Sequence, residues 1–418
     1  FERNNLFGTG QHGFRPHRST TSALVAMTSA WTDAVDRNHN AGALAFDLSS
    51  AFDTVDVNIL CSKLAIYGFD TVSLSWIRSY LTNRHQFVQV GNIRSKTLKV
   101  NTGCPQGSVL SPILFIILTA DIEDWVQHSE LSSYADDITA TATGLTPTDV
   151  IVKLQKSAHT ILSFFASNGL VVNTNKTVFL FFGSRKNNIQ HPLSIEVGRD
   201  HIEESESAKI LGLTISNTLR WRDHVDHIAK DLLHRSFLIR NLRNILPLKD
   251  LIMITNGWFN SRIRYGISIF LRPKLDESDP THHLSYRLQT IQNAVLRSLT
   301  GQLRKDHVNM HSLRTELGIP SVNQILCQAL ALEMRTCMTH NINPSIMISL
   351  QRHITPITTR SATAHKIRLP QQHKAFTCSF KTYGAKIWNM LTPDLRNPNS
   401  TDLSFKRNLK TWIKNNIP

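Results

Sequence analysis

Cysteine is scarce in this chain of 418 residues: there are five, at Cys61, Cys104, Cys327, Cys337 and Cys378, odd in number and scattered. That pattern excludes a disulfide scaffold and points to a reducing compartment. Cys327, Cys337 and His340 match no spacing of a structural zinc site. The sequence has no run of 18 uninterrupted apolar residues, so no membrane-spanning helix is expected. Its longest candidate, Ile113–Leu118, reads as a segment of a buried helix. No signal peptide is expected at the start of the chain, and no repeat of solenoid period occurs. Acid is also in short supply, with 31 Asp and Glu against 46 Lys and Arg, a net charge of +15. The imbalance is local: residues 1–182 hold 13 basic and 14 acidic side chains, leaving 33 and 17 for the rest. A near-neutral first part and a basic second part suit phosphate-backbone binding, although charge alone equally describes a soluble basic surface.

The acids that are present fall in a pattern. Tyr134-Ala135-Asp136-Asp137 lies between two β-prone runs, Leu131–Tyr134 and Ile138–Thr141, which read as a hairpin with both acids at its tip. An earlier apolar run, Ala43–Phe46, suits a buried strand and ends at Asp47. Two acidic clusters on strand-like runs suggest a two-metal phosphoryl-transfer site. Two Mg²⁺ ions roughly 3.5–4 Å apart need bridging carboxylates and prefer hard oxygen ligands. The plainer readings are a turn for Asp136-Asp137 and a helix N-cap for Asp47; Asp53 and Asp56 read as caps or turn formers. Pro105-Gln106-Gly107 is a turn ahead of a helix-like run, Val109–Trp125, and such turns allow close approach to a nucleotide or template.

The remaining pattern is mixed at first and helical later. Helices are expected at Ala23–Val35, Asn58–Tyr67, Val72–Leu81 (with Trp76 and Leu81 on an apolar face) and from Pro147 to Ala166. Strands are expected at Gly42–Asp47, Gln86–Val90, Thr97–Val100, Val178–Phe182, Leu193–Val197 and Ile210–Ile215. Ser184–Gln190 reads as a polar loop. His224–Asn244 carries Leu232, Leu233, Phe237, Leu238 and Leu242 at helical spacing, with Arg235, Arg240 and Arg243 on a solvated face. Further helices follow, and residues 343–375, with Arg352, Arg360, Lys366 and Arg368, read as a flexible basic linker.

Taken in order, these segments resemble a reverse transcriptase, specifically that of a non-LTR (LINE-type) retrotransposon. Gln11–Thr20 is similar to the fingers motif, Phe46–Asp56 to palm motif A, and Gly103–Pro112 to motif B. Tyr134–Asp137 is similar to motif C, Gly169–Thr177 to motif D, and Lys209–Thr214 with Trp221 and His224 to the primer-grip region. Six motifs in order over roughly half the chain carry the resemblance.

The resemblance implies an α+β right-hand polymerase: partial fingers and an antiparallel palm at 1–216, a helical thumb at 217–300, and a basic helical C-terminal region at 301–418. It implies catalytic Asp47, Asp136, Asp137 and Lys176, with metal held by Asp47, Leu48, Asp136 and Asp137. The incoming dNTP would meet Phe52, Gln106, Gly107 and Lys176, Phe52 packing under the sugar and excluding a 2′-hydroxyl. Arg15, Arg18, Pro105, Leu211 and Gly212 would meet template or primer; the two arginines read equally as pins on backbone carbonyls or acids. Expected cofactors are two Mg²⁺ ions, with Mn²⁺ as a substitute. Expected partners are template RNA, a DNA primer or target and dNTP, with no membrane, in the nucleus and cytoplasm. Members of the family carry more fingers sequence upstream and usually an endonuclease, so an N-terminally incomplete chain is expected. A non-catalytic nucleic-acid-binding remnant stays as the alternative.

Overall fold

The computed structural model describes residues 1–4, 6–183, 193–275, 283–340, 342–343, 346, 367, 369, 380–397 and 399–417. The expected loop Ser184–Gln190, the four basic residues of the expected linker, and Cys378 lie outside the described residues. The chain divides into two compact units, Phe1–Ala23 with Arg37–Glu206, and Leu24–Asp36 with Ser207–Pro418. This division falls ahead of the boundary expected after residue 216, and it takes 217–300 and 301–418 together.

In chain order the first unit holds the start of α1 (Thr20–Asp36), β1 (Asn40–Phe46), α2 (Val57–Ile66), α3 (Thr71–Leu81), β2 (Arg84–Gln86), β3 (Gln89–Val90), β4 (Ile93–Arg94) and β5 (Leu98–Val100). It continues with α4 (Leu110–Leu118), α5 (Ile122–Trp125), β6 (Glu130–Tyr134), β7 (Asp137–Gly144), α6 (Pro147–Ser167), β8 (Val178–Phe182), β9 (Ser194–Val197) and β10 (Asp200–Glu203). Its centre is a four-stranded antiparallel sheet in the order β6-β7-β1-β8, the α+β arrangement expected of a palm. β1 is apolar almost throughout because both its edges are paired and α6 covers it. A Cβ on Gly42 would lie 2.7 Å from Val150 and Leu154 of α6, so glycine sets how closely helix and strand approach. Val150, Leu154, Ala158, Ile161, Phe164 and Phe165 form the buried stripe of α6 at helical spacing. Pro147 opens that helix, where its missing N–H costs nothing, and the Thr146 side chain accepts from Asp149 N.

Three expectations are corrected here. Val109–Trp125 is two helices, because Lys63 Nζ reaches the Leu118 carbonyl (2.7 Å) and Asp121 Oδ1 (2.6 Å) and so satisfies the chain where α4 ends. Trp76 is exposed and stacks on Tyr80 at 5.8 Å, while Leu81 is buried. Residues 84–100 form two nested antiparallel pairs, β2 with β5 and β3 with β4.

The second unit is mainly helical. After β11 (Ser207–Ile210) and β12 (Leu213–Ser216) it holds α7 (Arg222–Leu242), α8 (Leu248–Ile254), α9 (Asn260–Arg264), α10 (Ile267–Phe270), α11 (His283–Thr300), α12 (Met310–Leu317), α13 (Val322–His340), α14 (Phe380–Met390) and α15 (Asp402–Asn416). A π-helical turn, Thr255–Phe259, joins α8 to α9. The strand expected over Ile210–Ile215 is instead a hairpin turn at Leu211-Gly212, both with positive φ (44° and 81°), as a two-residue loop between antiparallel strands demands. Two buried cations tie distant segments together. Lys381 of α14 pairs with Asp33 of α1, which draws Leu24–Asp36 into this unit. Arg335 of α13 holds Asp402 Oδ1 (3.1 Å) and Ser400 Oγ (3.1 Å) and lies over the Phe405 ring, fixing the start of α15. Among the described residues no helix is long and apolar enough to cross a membrane.

Candidate active site

The site grows from strand register. β1 ends with Phe46 opposite Ile138 of β7, so the next residue, Asp47, comes abreast of Asp137. β6 and β7 are joined by only two residues, since Tyr134 pairs with Asp137 and leaves Ala135 and Asp136 in the turn. Ala135 has φ +57°, a left-handed conformation that costs a non-glycine residue about 1 kcal/mol. The cost is offset from outside the hairpin. Gln11 Oε1 accepts hydrogen bonds from Gly13 N (2.7 Å) and from Ala135 N (3.1 Å). His12 N donates to the Ser133 carbonyl and Ser133 N to the Gly10 carbonyl, so residues 10–12 run along β6 as a short parallel edge. Glycine is required at 13, because a Cβ there would run into Ala135 N.

Two loops complete the surroundings. Beyond Asp47 the chain pairs with 171–173: Asn173 N donates to the Asp47 carbonyl and Ser49 N to the Val171 carbonyl. Leu48 is therefore at a non-hydrogen-bonded position, where its own N–H and C=O do not bond that segment. The 3₁₀ turn Thr174–Lys176 then brings Lys176 Nζ to 3.3 Å from Asp47 Oδ2. On the other side, Gly103 N bonds the Val55 carbonyl and Cys104 N the Phe52 carbonyl. Gly103 has φ +79°, and a Cβ there would lie 2.6 Å from the Asp53 carbonyl oxygen, so only glycine allows this contact. It carries Pro105-Gln106-Gly107 over the 50–55 turn, where Gln106 Nε2 donates to both oxygens of Asp53 (2.9 and 3.0 Å). Phe52 is half-buried, its ring 4.8 Å from that of Phe115.

The electrostatics show unmet negative charge. Burial, with Asp47 beside it, raises the Asp136 carboxyl above its usual range. Burial, then the charges of Asp136 and Asp47, push the Asp137 carboxyl up to about 6. Asp47 Oδ2 is buried and accepts no hydrogen bond among the described residues. Three carboxylates, all hard oxygen donors, thus face one nearby ammonium. That donor set fits divalent cations such as Mg²⁺.

Other expected residues sit differently. Asp56 is a helix cap, accepting from Asn58 N and Ile59 N; Asp53 caps no helix but lies in a turn, where its side chain also holds Gln106. Arg15 pairs with Glu2 (2.7 Å) and donates to the Gly8 and Gln11 carbonyls, and Arg18 donates to the Thr9 and Gln11 carbonyls. This is the pinning geometry for both. Leu211 and Gly212 belong to the second unit, where Tyr265 Oη donates to the Leu211 carbonyl (2.7 Å). His224 is buried against Phe270, its Nδ1 accepting from Thr214 N (3.2 Å), so it packs β12 onto α7. Arg235 is engaged by Asp231 and Trp258.

Sequence reasoning assigned no role to Gln11 or Glu123. Glu123 of α5 accepts from Thr9 N (2.9 Å) and Gly10 N (2.7 Å) and so holds the strip that braces the acidic turn. Glu123 and its partners, and Gln11 and Ala135, stand more than a hundred residues apart in sequence, so no local pattern marks these contacts.

The sequence is similar to those of known proteins. The family described as "Reverse transcriptase (RNA-dependent DNA polymerase)" matches residues 2–215, a span that takes in the whole site. A probable RNA-directed DNA polymerase from transposon BS of Drosophila melanogaster is 25% identical over 74% of this chain and 35% of its own length. The RNA-directed DNA polymerase from mobile element jockey of Drosophila funebris is 22% identical over 75% of this chain and 34% of its own length. A telomerase structure from Candida tropicalis, with a fragment of telomeric RNA, covers 80% of this chain and 53% of that one at 12% identity and a TM-score of 0.38, too slight a likeness to support an argument. The chain spans about a third of the length of the curated relatives it matches. On the matched span and the motifs within it, the chain belongs to the reverse transcriptase family, with its similarity to the enzymes of non-LTR retrotransposons.

Proposed function

We propose that this chain is an RNA-directed DNA polymerase that joins a dNTP to a primer 3′-hydroxyl on an RNA template. The observation that carries this reading is the excess of negative charge at the end of the sheet, where Asp47, Asp136 and Asp137 have the single ammonium of Lys176 nearby. The reverse transcriptase family uses divalent metal ions. Here two Mg²⁺ ions are proposed, held by those three carboxylates and the Leu48 carbonyl. When bound, they would supply the Lewis acidity that favours an ionised primer 3′-oxygen and offsets charge on the pyrophosphate.

The chain's own residues do the rest. The hairpin turn and the end of β1 hold the carboxylates in fixed register, so little reorganisation accompanies reaction. Phe52 packs under the sugar of the incoming nucleotide and leaves no room for a 2′-hydroxyl. Gln106, oriented by Asp53, faces the nucleotide or template across a turn that Gly107 keeps open. Lys176 donates a proton to the leaving pyrophosphate oxygen. Template RNA, a DNA primer and, in the element's life cycle, a target DNA that primes copying are the proposed partners, in the nucleus and cytoplasm.

The test is dNTP incorporation on poly(rA)/oligo(dT) with Mg²⁺, beside an Asp136→Asn, Asp137→Asn double variant. Incorporation by the wild type that disappears in the variant is expected. Absence of incorporation in both, with salt-sensitive RNA binding kept, would replace this reading with a non-catalytic binding protein.

A further inference from the structure

The second unit contains a cavity of about 580 Å³ that the polymerase reading does not use. Its walls come from the π-helical turn, the end of α9, α12 with the loop behind it, the start of α13, and α15. Four permanent cations line it: Arg264, Arg314, Lys410 and Lys414. Among the described residues no carboxylate side chain does. Arg264, Lys410 and Lys414 make no ion pair among the described residues, and Arg314 has only a neutral partner, Asn293 Oδ1 at 3.2 Å. Burial lowers the Arg314 pKa, so its charge is held at a cost that no acid offsets.

Three of the four lie in the last turn of a helix, where a cation complements the terminal carbonyls. That accounts for one cation per helix end. It does not account for three helix ends and Lys410, one turn earlier on α15, facing the same volume. Like charges gathered around a space repel, and an anion in that space removes the repulsion. The rest of the lining suits an anion with a less polar body. Ile319, Pro320 and Ile413 supply an apolar wall, and Asn256, whose Oδ1 already accepts from Asn260, has its amide N–H groups left to donate. The volume matches small-ligand sites, which run to several hundred Å³. The cradle is anchored: Arg335 fixes the start of α15, and Gln324 Nε2 donates to the Ile417 carbonyl (3.0 Å) at its end.

We propose that this cavity binds a phosphate-bearing ligand, its phosphate among Arg264, Arg314, Lys410 and Lys414. The phosphate is either the end of a nucleic-acid chain or that of a free nucleotide or polyphosphate. The site is separate from the polymerase reading and is tested without metal.

The experiment is isothermal titration of the full chain with inorganic tripolyphosphate in EDTA, where the palm carboxylates repel the anion. One tripolyphosphate bound per chain is expected, weakened at least tenfold in Lys410→Glu, Lys414→Glu. Both lysines are exposed, and Lys410→Gln, Lys414→Gln provides a milder second variant, judged beside the melting temperature. Absence of binding by the wild type, or equal binding by wild type and both variants, would overturn the proposal. Short single-stranded RNAs with a 5′-phosphate or a 5′-hydroxyl then separate the sources. A phosphate-dependent gain that the lysine variants lose assigns the chain end, and no gain beside variant-sensitive tripolyphosphate binding assigns the free ligand.

Discussion

The acidic turn of the first unit and the basic cavity of the second are both clusters of like charge, yet they are built differently. Asp47, Asp136 and Asp137 are short side chains fixed by strand register and a two-residue turn. Arg264, Arg314, Lys410 and Lys414 are long side chains reaching from separate helices into an open volume. Short acids on a sheet give little freedom and suit small, hard cations at set distances. Long cations around a cavity adapt, and suit a larger anion whose exact pose the backbone does not dictate. In each case one sign of charge is in excess, and the proposed ligand would supply the other.

The comparison can be broken most sharply at the acids. Asp47→Asn or Asp136→Asn is expected to lower dNTP incorporation by about 10³-fold, some 4 kcal/mol of transition-state stabilisation, while melting within a few degrees of the wild type. Incorporation within tenfold of wild type would mean that the carboxylates do not hold the reacting groups. Gln11 tests whether the turn must be braced. Gln11→Ala removes the acceptor for Ala135 N, and a loss of about 10–100-fold in kcat is expected, in line with other supports of metal-binding residues. KM for dNTP should change little. An unchanged kcat would show that the turn holds itself.

A pH experiment probes the same brace more gently. His12 is buried, its Nδ1 2.7 Å from Ser22 Oγ, and burial, then Arg18 and Arg15, push its pKa down to about 3. A pKa lowered on folding gives stability that is complete above the unfolded value near 6.5 and is lost as pH falls toward 3. By pH 5 the loss should be about 2 kcal/mol, visible as a falling melting temperature that His12→Gln flattens. An equal fall in wild type and variant would assign it to other groups. The smallest effect is expected at Asp53→Ala, which frees Gln106: about three- to tenfold in kcat/KM for dNTP, with stability unchanged. No change in kcat/KM would mean that Gln106 needs no orienting partner.

Where sequence and structure agree, the signal was local. Val178–Phe182 is an unbroken apolar run and is a buried strand with the expected bounds; Asp56 stands just ahead of an apolar-periodic stretch and is its cap. The acids at 47, 136 and 137 were readable because each sits at the end of a strand-like run. What was hidden depends on partners far along the chain. Lys63 ends α4 from 55 residues away, Gln11 reaches Ala135 across 124, and Arg335 fixes α15 across 67. Leu211 at a hairpin turn also went unread, since leucine seldom takes a positive φ. Asp53 does lie in a turn, as expected, but its side-chain partner, Gln106, is on another loop and leaves no local mark.

The central claim is that the three carboxylates are completed by divalent cations. Titration of the protein with Mn²⁺ at pH 7.5, followed by the electron paramagnetic resonance of free Mn²⁺, tests it without any need for turnover. The account predicts Mn²⁺ uptake by the wild type that is abolished in Asp47→Asn and in Asp136→Asn and kept in Lys410→Glu, Lys414→Glu. Uptake that is absent in the wild type, or that survives both aspartate substitutions unchanged, would contradict it.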